Sequence, residues 1–282
     1  MSKIKAFFKS YKDNIVRTKI IVFAILALIF IMCAIFADKL CPYDPYLQDL
    51  SIAYNKPSMA HLMGTDAYGR DMLSRVIVGG KASILSTLIL VAIICILGTI
   101  IGVVCGYYGG AIDSIVMRIS DVCLAFPGLV FALAVAALLS GGIKDAIISL
   151  AIISWPKYSR VARGQTLSMK QASFVQASIV SGAGSQRIIL RHILPNIFGP
   201  ILVTAMLDIG TMMMELAGLS FLGLGAQPPI TEWGSMMSSG RSMLQTYPWV
   251  VLSPGLAIFI SVVIFNLLGD SIRDYFDPKK GK

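Results

Sequence analysis

Charge is what this chain has least of. Only 14% of its 282 residues are Asp, Glu, Lys or Arg, while 56% are hydrophobic. A soluble domain carries about 25% charged residues, so an ordinary cytosolic enzyme is excluded. Histidine is scarce too: His61 and His192 are the only two, and both lie outside the apolar runs. With no H-E-x-x-H and no intramembrane Ser–His pair, an intramembrane protease would need paired aspartates. Asp121 and Asp208 are present but carry no supporting motif. No G-x-x-x-x-G-K-[ST] occurs either. The nearest string, Val78-Gly79-Gly80-Lys81-Ala82-Ser83, lacks both the spacing and the adjacent hydroxyl, so ATP hydrolysis is not expected from this polypeptide. The cysteines Cys33, Cys41, Cys95, Cys105 and Cys123 show no C-x-x-C spacing. Most sit in or beside apolar runs as small hydrophobes, and neither a disulfide framework nor a metal site is expected.

What the chain has is long apolar runs. A bilayer core of ~30 Å needs roughly 20 apolar residues per helix. On that measure residues 20–37, 83–108, 119–139, 146–155, 198–224 and 249–269 predict six spans. The third contains Pro127 and the fourth is short, flanked by Lys144, Asp145 and Lys157. The first is longer than a signal-peptide core and is read as an uncleaved helix. The expected fold class is therefore all-α, a polytopic membrane protein with six transmembrane helices. It divides into an N-terminal segment 1–19, a first helix 20–37, a loop 38–82, a five-helix core 83–276 and a tail 277–282.

The net charge of +9 is explained by where the bases lie. Segment 157–198 holds Lys157, Arg160, Arg163, Lys170, Arg187 and Arg191 and no acid, and residues 1–19 oppose six bases to Asp13 alone. Loop 38–82 balances five bases with five acids. Lys and Arg are retained on the cytoplasmic side, so both termini and segment 157–198 are expected there, with Lys279, Lys280 and Lys282 in agreement. Nucleic acid is not needed as a partner; lipid is. Trp155 and Tyr158 fall at the inner boundary and Trp233, Tyr247 and Trp249 at the outer one, as interfacial aromatics do.

Three polar segments carry the information. Loop 38–82 contains Cys41-Pro42-Tyr43-Asp44-Pro45 and Gly64-Thr65-Asp66-Ala67-Tyr68-Gly69-Arg70-Asp71, an ordered turn that serves either as connector or as docking surface. Segment 225–248 opens with glycines and Pro228-Pro229, then Trp233 and a group of methionines; it reads as an interfacial cap or a helix dipping into the mouth. Within 157–198, Lys157–Met169 extends the fourth span inward. Residues 171–181 read as a helix, Gly182, Ala183 and Gly184 interrupt it, and Ser185 caps a second helix that Pro195 closes. This predicts a helix–turn–helix at the inner face, either a partner contact or an amphipathic connector.

Asp208 and Glu215 lie two turns apart within the fifth span, on one helix face. Buried charge in lipid costs about 2.5–3.5 kcal/mol on insertion scales. The pair therefore either lines a translocation path or ties helices together. Spans one, two, five and six supply no Lys or Arg, which favours the path for Asp208. Met212-Met213-Met214 covers more than one face and reads as packing.

At the helix–turn–helix the chain resembles the membrane subunits of binding-protein-dependent ABC importers, whose signature runs E-A-A, three residues, G, nine residues, I-x-L-P. Gln176-Ala177-Ser178, Gly182 and Leu194-Pro195 stand at those positions, with His192 at the isoleucine. Gln176 and Ser178 depart from the first triplet. Arg191-His192-Ile193-Leu194-Pro195-Asn196 is similar to the peptide-transporting branch. So are Gly64-Thr65-Asp66 with Gly69-Arg70-Asp71, and Leu219–Gly225 followed by Pro228-Pro229 and Trp233-Gly234. The resemblance, over residues 20–276, is to the second permease subunit of the dipeptide/oligopeptide/nickel family.

That resemblance implies the type I (MetI-like) permease fold and half of an alternating-access pore. It implies pairing with a homologous permease subunit, two cytoplasmic ABC ATPases and an extracytoplasmic solute-binding protein in a cell membrane. The chain itself would need no cofactor, ATP and Mg being held by the ATPases. Gln176, Ala177, Ser178, Gly182, Ala183, Gly184 and Ser185 would meet the ATPase. Arg187 and Arg191 would meet headgroups or acidic residues. Cargo would be peptides or, as the alternative, nickel or a metal chelate.

Overall fold

A computed structural model describes residues 2–276, with side chains from residue 15 onward; the tail lysines Lys279, Lys280 and Lys282 lie outside the described residues. The regular structure of the described residues is helical, apart from one isolated bridge between Thr65 and Asp71. The helices are α1 (Ser2–Ile35), α2 (Met72–Tyr108), α3 (Gly110–Ala125), α4 (Gly128–Leu138) and α5 (Ile143–Lys170). They continue as α6 (Ser173–Val180), α7 (Ser185–Phe221), α8 (Trp233–Gly240) and α9 (Trp249–Phe276). Following the charge reading, the end carrying residues 171–184 is named inner and the end carrying residues 41–71 and 222–248 outer.

Four helices, α1, α2, α7 and α9, are long and apolar enough to cross a membrane, and α3 with α4 supply a fifth crossing if they count together. The expectation of six clean spans is corrected at two of them. The third run is not one rod: α3 and α4 meet at a 95° bend. Pro127 lacks an N–H and drives the preceding Phe126 to ψ 147°, out of the helical region. The fourth is long, 28 residues, but its apolar part is short and its inner half carries Lys157, Arg160, Arg163 and Lys170. α5 packs most extensively on α2 and also touches α4 and α7.

The second span starts eleven residues earlier than its apolar run. The Asp71 carboxylate accepts the Ser74 N–H at 2.8 Å and the Ser74 hydroxyl at 2.7 Å, and so caps α2 at Met72. Arg75 and Lys81 then fall inside the helix because each has a carboxylate to meet, Asp66 at 3.4 Å and Asp38 at 2.6 Å. The sequence boundary at residue 83 marked where charge stopped, not where the helix began.

α2 and α5 meet along a groove made by Gly98, Gly102 and Gly106. A Cβ at Gly102 would lie 2.3 Å from the Ser159 carbonyl oxygen, and one at Gly98 would lie 2.5 Å from that of Trp155. Close backbone approach through small residues is how helices associate where the solvent is as apolar as the side chains. α1 uses the same device more lightly. It buries Ala27 and Ala34 against the bundle and leaves Ile21, Ile25, Leu28 and Ile29 facing out.

Candidate functional site

The inner turn is built by a helix stop. α6 ends at Val180, and Gly182 takes φ +79°, a conformation that costs an L side chain roughly 1–2 kcal/mol. The Ala183 N–H donates to the Ser178 carbonyl at 3.0 Å and the Gly182 N–H to that of Ile179 at 3.0 Å. These two bonds are the Schellman closure, which satisfies carbonyls the helix end would leave bare. Beneath the turn Val175, Ile188 and Ile193 are buried and fix it to the bundle. Above it, Gln176, Ala177, Ser181, Gly182 and Gly184 are exposed, Ser178, Ala183 and Ser185 are half-exposed, and Val180 is 87% exposed. A Cβ at Gly182 or Gly184 would meet nothing within 4 Å in this chain. The structure thus brings the seven expected contact residues together on one protruding knuckle.

Two details of the expected helix–turn–helix are corrected. Gly184, not Ser185, is the N-cap of the second helix, and no side chain caps it. Pro195 does not close that helix either. The backbone widens into a π turn over Ile189–Ile193 and then runs on unbroken as Leu194–Phe221. A proline ring would clash with the carbonyl four residues back in a regular helix; the wider turn at Ile189–Ile193 makes room for it. The Ser178 hydroxyl lies 3.4 Å from His192 Nε2 and the Phe174 and His192 rings are 6.2 Å apart, so the π turn folds back over α6. Arg187 and Arg191 are exposed.

The inner half of α5 is held by ion pairs. Arg163 grips Asp113 of α3 with two bonds of 2.5 and 2.6 Å, Arg160 meets Asp121 at 2.5 Å, and Lys170 donates to the Tyr107 carbonyl at 2.7 Å.

Deeper in the bundle, Asp208 is only 1% exposed, but it is not bare. Lys157 Nζ reaches Oδ1 at 2.6 Å and the Tyr158 hydroxyl donates to Oδ2 at 3.0 Å. Of the two readings, the structure supplies the fixed donors that a helix tie needs: Asp208 joins α7 to α5. The donor was missed because Lys157 belongs to the weak fourth span, which the count of bases left out. Tyr158, fully buried, is likewise a partner in the bundle rather than an interfacial anchor. Glu215, two turns on, is half-buried, with Oε1 4.0 Å from where a Cβ would stand at Gly128, the first residue of α4. The two acids thus meet different partners: Asp208 is held by α5, and Glu215 lies beside Gly128 at the start of α4. Met212 and Met213 are buried in the core.

The Asp208 geometry makes a prediction opposite to the path reading. Asp208→Asn should lower thermal stability by about 1–3 kcal/mol, because it leaves the buried Tyr158 hydroxyl and the half-exposed Lys157 without their charged acceptor. Transport should fall alike for charged and neutral substrates. Thermal unfolding of the solubilised protein together with paired uptake assays checks both.

At the outer end the Gly64–Asp71 turn is satisfied by its own side chains. Asp66 accepts the backbone N–H groups of Tyr68 and Arg70, and His61 Nδ1 lies 2.9 Å from Asp71. Tyr54 stacks on Tyr247 at 4.2 Å, and the Trp249 indole donates to the Thr65 carbonyl at 3.1 Å, joining this turn to the start of α9. The second outer segment dips in. Glu232 caps α8 through the N–H groups of Gly234 and Ser235, both at 2.9 Å, and also accepts the Ser83 hydroxyl of α2 at 3.1 Å. Burial pushes the Glu232 carboxyl above its usual range and these hydrogen bonds pull it back. Trp233, expected at the interface, is instead buried, its indole donating to the Val76 carbonyl at 2.8 Å.

Comparison with known proteins places this arrangement. Residues 98–282 match the family described as binding-protein-dependent transport system inner membrane component. The glutathione transport system permease protein GsiD of Escherichia coli O6:K15:H31 is 45% identical over 258 residues, 91% of this chain and 85% of that one. The dipeptide transport system permease protein DppC of Alkalihalophilus pseudofirmus is 40% identical over 272 residues, 96% of this chain and 88% of that one. Among solved structures, a MetNI methionine ABC transporter in inward-facing conformations aligns with a TM-score of 0.59 at 18% identity, covering 73% of this chain and 98% of that one, which is a likeness of fold. With its inner knuckle, its bent α3–α4 and its spanning α2, α7 and α9, the chain belongs to the family of inner membrane components of binding-protein-dependent transport systems.

Proposed function

We propose that this chain forms one half of the translocation pore of an ATP-driven importer of short peptides, paired with a homologous permease subunit. An extracytoplasmic solute-binding protein would deliver cargo to the outer end. Two cytoplasmic ATPases, which hold the ATP and Mg, would seat on the inner knuckles. Both termini and residues 157–198 then face the cytoplasm. Peptide as cargo rests on the relatives named above, both of them peptide permeases.

The observation that carries this reading is the open side of the Schellman-closed turn. Nothing in this chain crowds Gly182, yet the turn is closed by two backbone hydrogen bonds and leaves Val180 exposed. A closed turn with an apolar tip is suited to a socket on another protein. In alternating access, closure of the ATPase pair would push the two knuckles together and tilt the helices attached to them. Glu215, beside Gly128 at the start of α4, is the acid left on the proposed path.

The test is reconstitution of the assembled complex with Gly182→Glu and Gly182→Asn. Asn tolerates the left-handed conformation and should keep ATP-driven uptake of a dipeptide within about twofold. Glu adds both backbone strain and a carboxylate at the socket, and should abolish uptake while the permease pair still assembles. Normal uptake by Gly182→Glu would remove the knuckle from the ATPase contact.

A further inference from the structure

The outer end holds a cavity of about 840 Å³ between the Gly64–Asp71 turn and α8. Tyr46, Asp66, Arg70, Arg75, Gln227 and Ser239 are among the residues that line it. That volume lies in the range of small-molecule pockets, ~300–1,000 Å³. Among the lining residues the ionic side chains are two guanidiniums and one carboxylate, so the wall carries an excess positive charge.

The hydrogen-bond count sharpens this. Oδ1 of Asp66 accepts the backbone N–H of Tyr68 at 2.8 Å and that of Arg70 at 3.0 Å. Oδ2 takes Arg70 Nε at 2.7 Å and Arg70 Nη2 at 2.7 Å, with Arg75 Nε at 3.4 Å. A carboxylate offers about four lone-pair sites, and all are engaged. Two guanidiniums bring about ten N–H donors, of which one more, on Arg75 Nη1, goes to the Pro45 carbonyl at 3.2 Å. The two arginines thus bring to the cavity lining more N–H donors than these bonds use and one positive charge beyond Asp66, and what matches them is a second planar oxyanion. The Arg75 side chain is only 11% exposed and that of Arg70 19%. Cations this recessed are reached by a small ligand entering the cavity, not by a flat protein surface.

We propose that the outer cavity is a receiving site for the free terminal carboxylate of an incoming peptide, held by Arg70 and Arg75. The proposal rests on the peptide-importer reading for its ligand. It adds a binding step on this chain, between release from the solute-binding protein and passage through the pore.

The assembled permease–ATPase complex in nanodiscs, without binding protein, can be probed by saturation-transfer NMR with dialanine and dialanine amide. The acid should bind about tenfold tighter than the amide, the value of a charged hydrogen-bonded contact. Arg75→Gln should erase that preference. Ser239→Glu should erase it as well, by adding a carboxylate to the cavity lining while leaving Asp66, Arg70 and Arg75 in place; Ser239 lines the cavity and is exposed on α8, so this variant keeps the test sound if Arg75→Gln fails to fold. Equal binding of acid and amide by the wild type, or a preference that survives Ser239→Glu, overturns the site. Dialanine uptake by the full complex with its binding protein is measured alongside. Uptake without any acid preference sinks this site alone, whereas an acid preference without uptake upholds the site and sinks the peptide cargo.

Discussion

Gly102→Leu should prevent stable folding of the membrane bundle. Its Cβ would sit 2.3 Å from the Ser159 carbonyl oxygen, 2.8 Å from Ala162 Cβ and 3.0 Å from the Arg163 N. Two of these neighbours are backbone atoms of a helix, which cannot rotate away as a side-chain tip can. The helices must separate, and the pairing of α2 with α5 is the most extensive in the molecule. Overpacking alone costs about 1–3 kcal/mol. Separation also weakens the Lys157–Asp208 tie, which depends on where α5 lies. The expected result is loss of the monodisperse protein on size-exclusion chromatography of membrane extracts. Gly164→Ala is the matched control on the other face of α5. Gly164 has nothing within 4 Å of its added Cβ and an ordinary helical φ, so alanine should be neutral or slightly stabilising. If Gly102→Leu behaves like Gly164→Ala, the glycine groove does not set the distance between the two helices.

Trp233→Ala should have the other large effect. The indole lies within 3.0 Å of a Cβ built at Gly79 and at Gly80, so α2 is hollowed there to receive it. Its backbone N–H donates to Ser83 Oγ at 3.1 Å, and the same hydroxyl donates to the Glu232 carboxylate. Removing the ring leaves a hole bordered by two glycines, which have no side chains to fill it. Tryptophan-to-alanine changes in such sites cost about 3–5 kcal/mol. Trp233→Phe keeps most of the ring and loses the bond to Val76, for about 1 kcal/mol. Thermal unfolding in detergent should rank the wild type above Phe and Phe well above Ala. Equal stability of the Ala and Phe variants would mean that α8 is not anchored through this ring.

The sequence told much about the inner turn and little about helix contacts, and the reason is physical. A Schellman stop is local: it needs a residue at positive φ, which Gly182 adopts without a Cβ penalty, so its position reads directly from the chain. The lipid-facing runs read just as easily, because composition alone marks them. The Asp208 partner was hidden because the pairing joins residues 51 positions apart, and Lys157 sits where hydropathy fades. Pro195 was misread as a stop because a π turn is a backbone adjustment with no residue type of its own. The Gly98-x-x-x-Gly102-x-x-x-Gly106 spacing was legible all along; small residues four apart in an apolar helix are a packing signal, and only attention to apolarity alone passed over them. Trp233 was assigned to the interface by residue type, whereas Gly79 and Gly80, remote in sequence, decide that it is buried.

The unbroken run through Pro195 has a mechanical meaning. From Ser185 to Phe221 the helix is 37 residues, roughly 55 Å at 1.5 Å per residue. One end is the inner knuckle and the other leads, two residues on, to Gly223 in the wall of the outer cavity. Had Pro195 ended the helix, a slack joint would have separated the two. Instead the helix is continuous through its π turn and past Pro200: for a rod of that length pivoted at one end, a tilt of about 5° displaces the other by roughly 5 Å. On the proposed coupling, a push at the knuckle would reach the outer end through one continuous helix rather than across a loop.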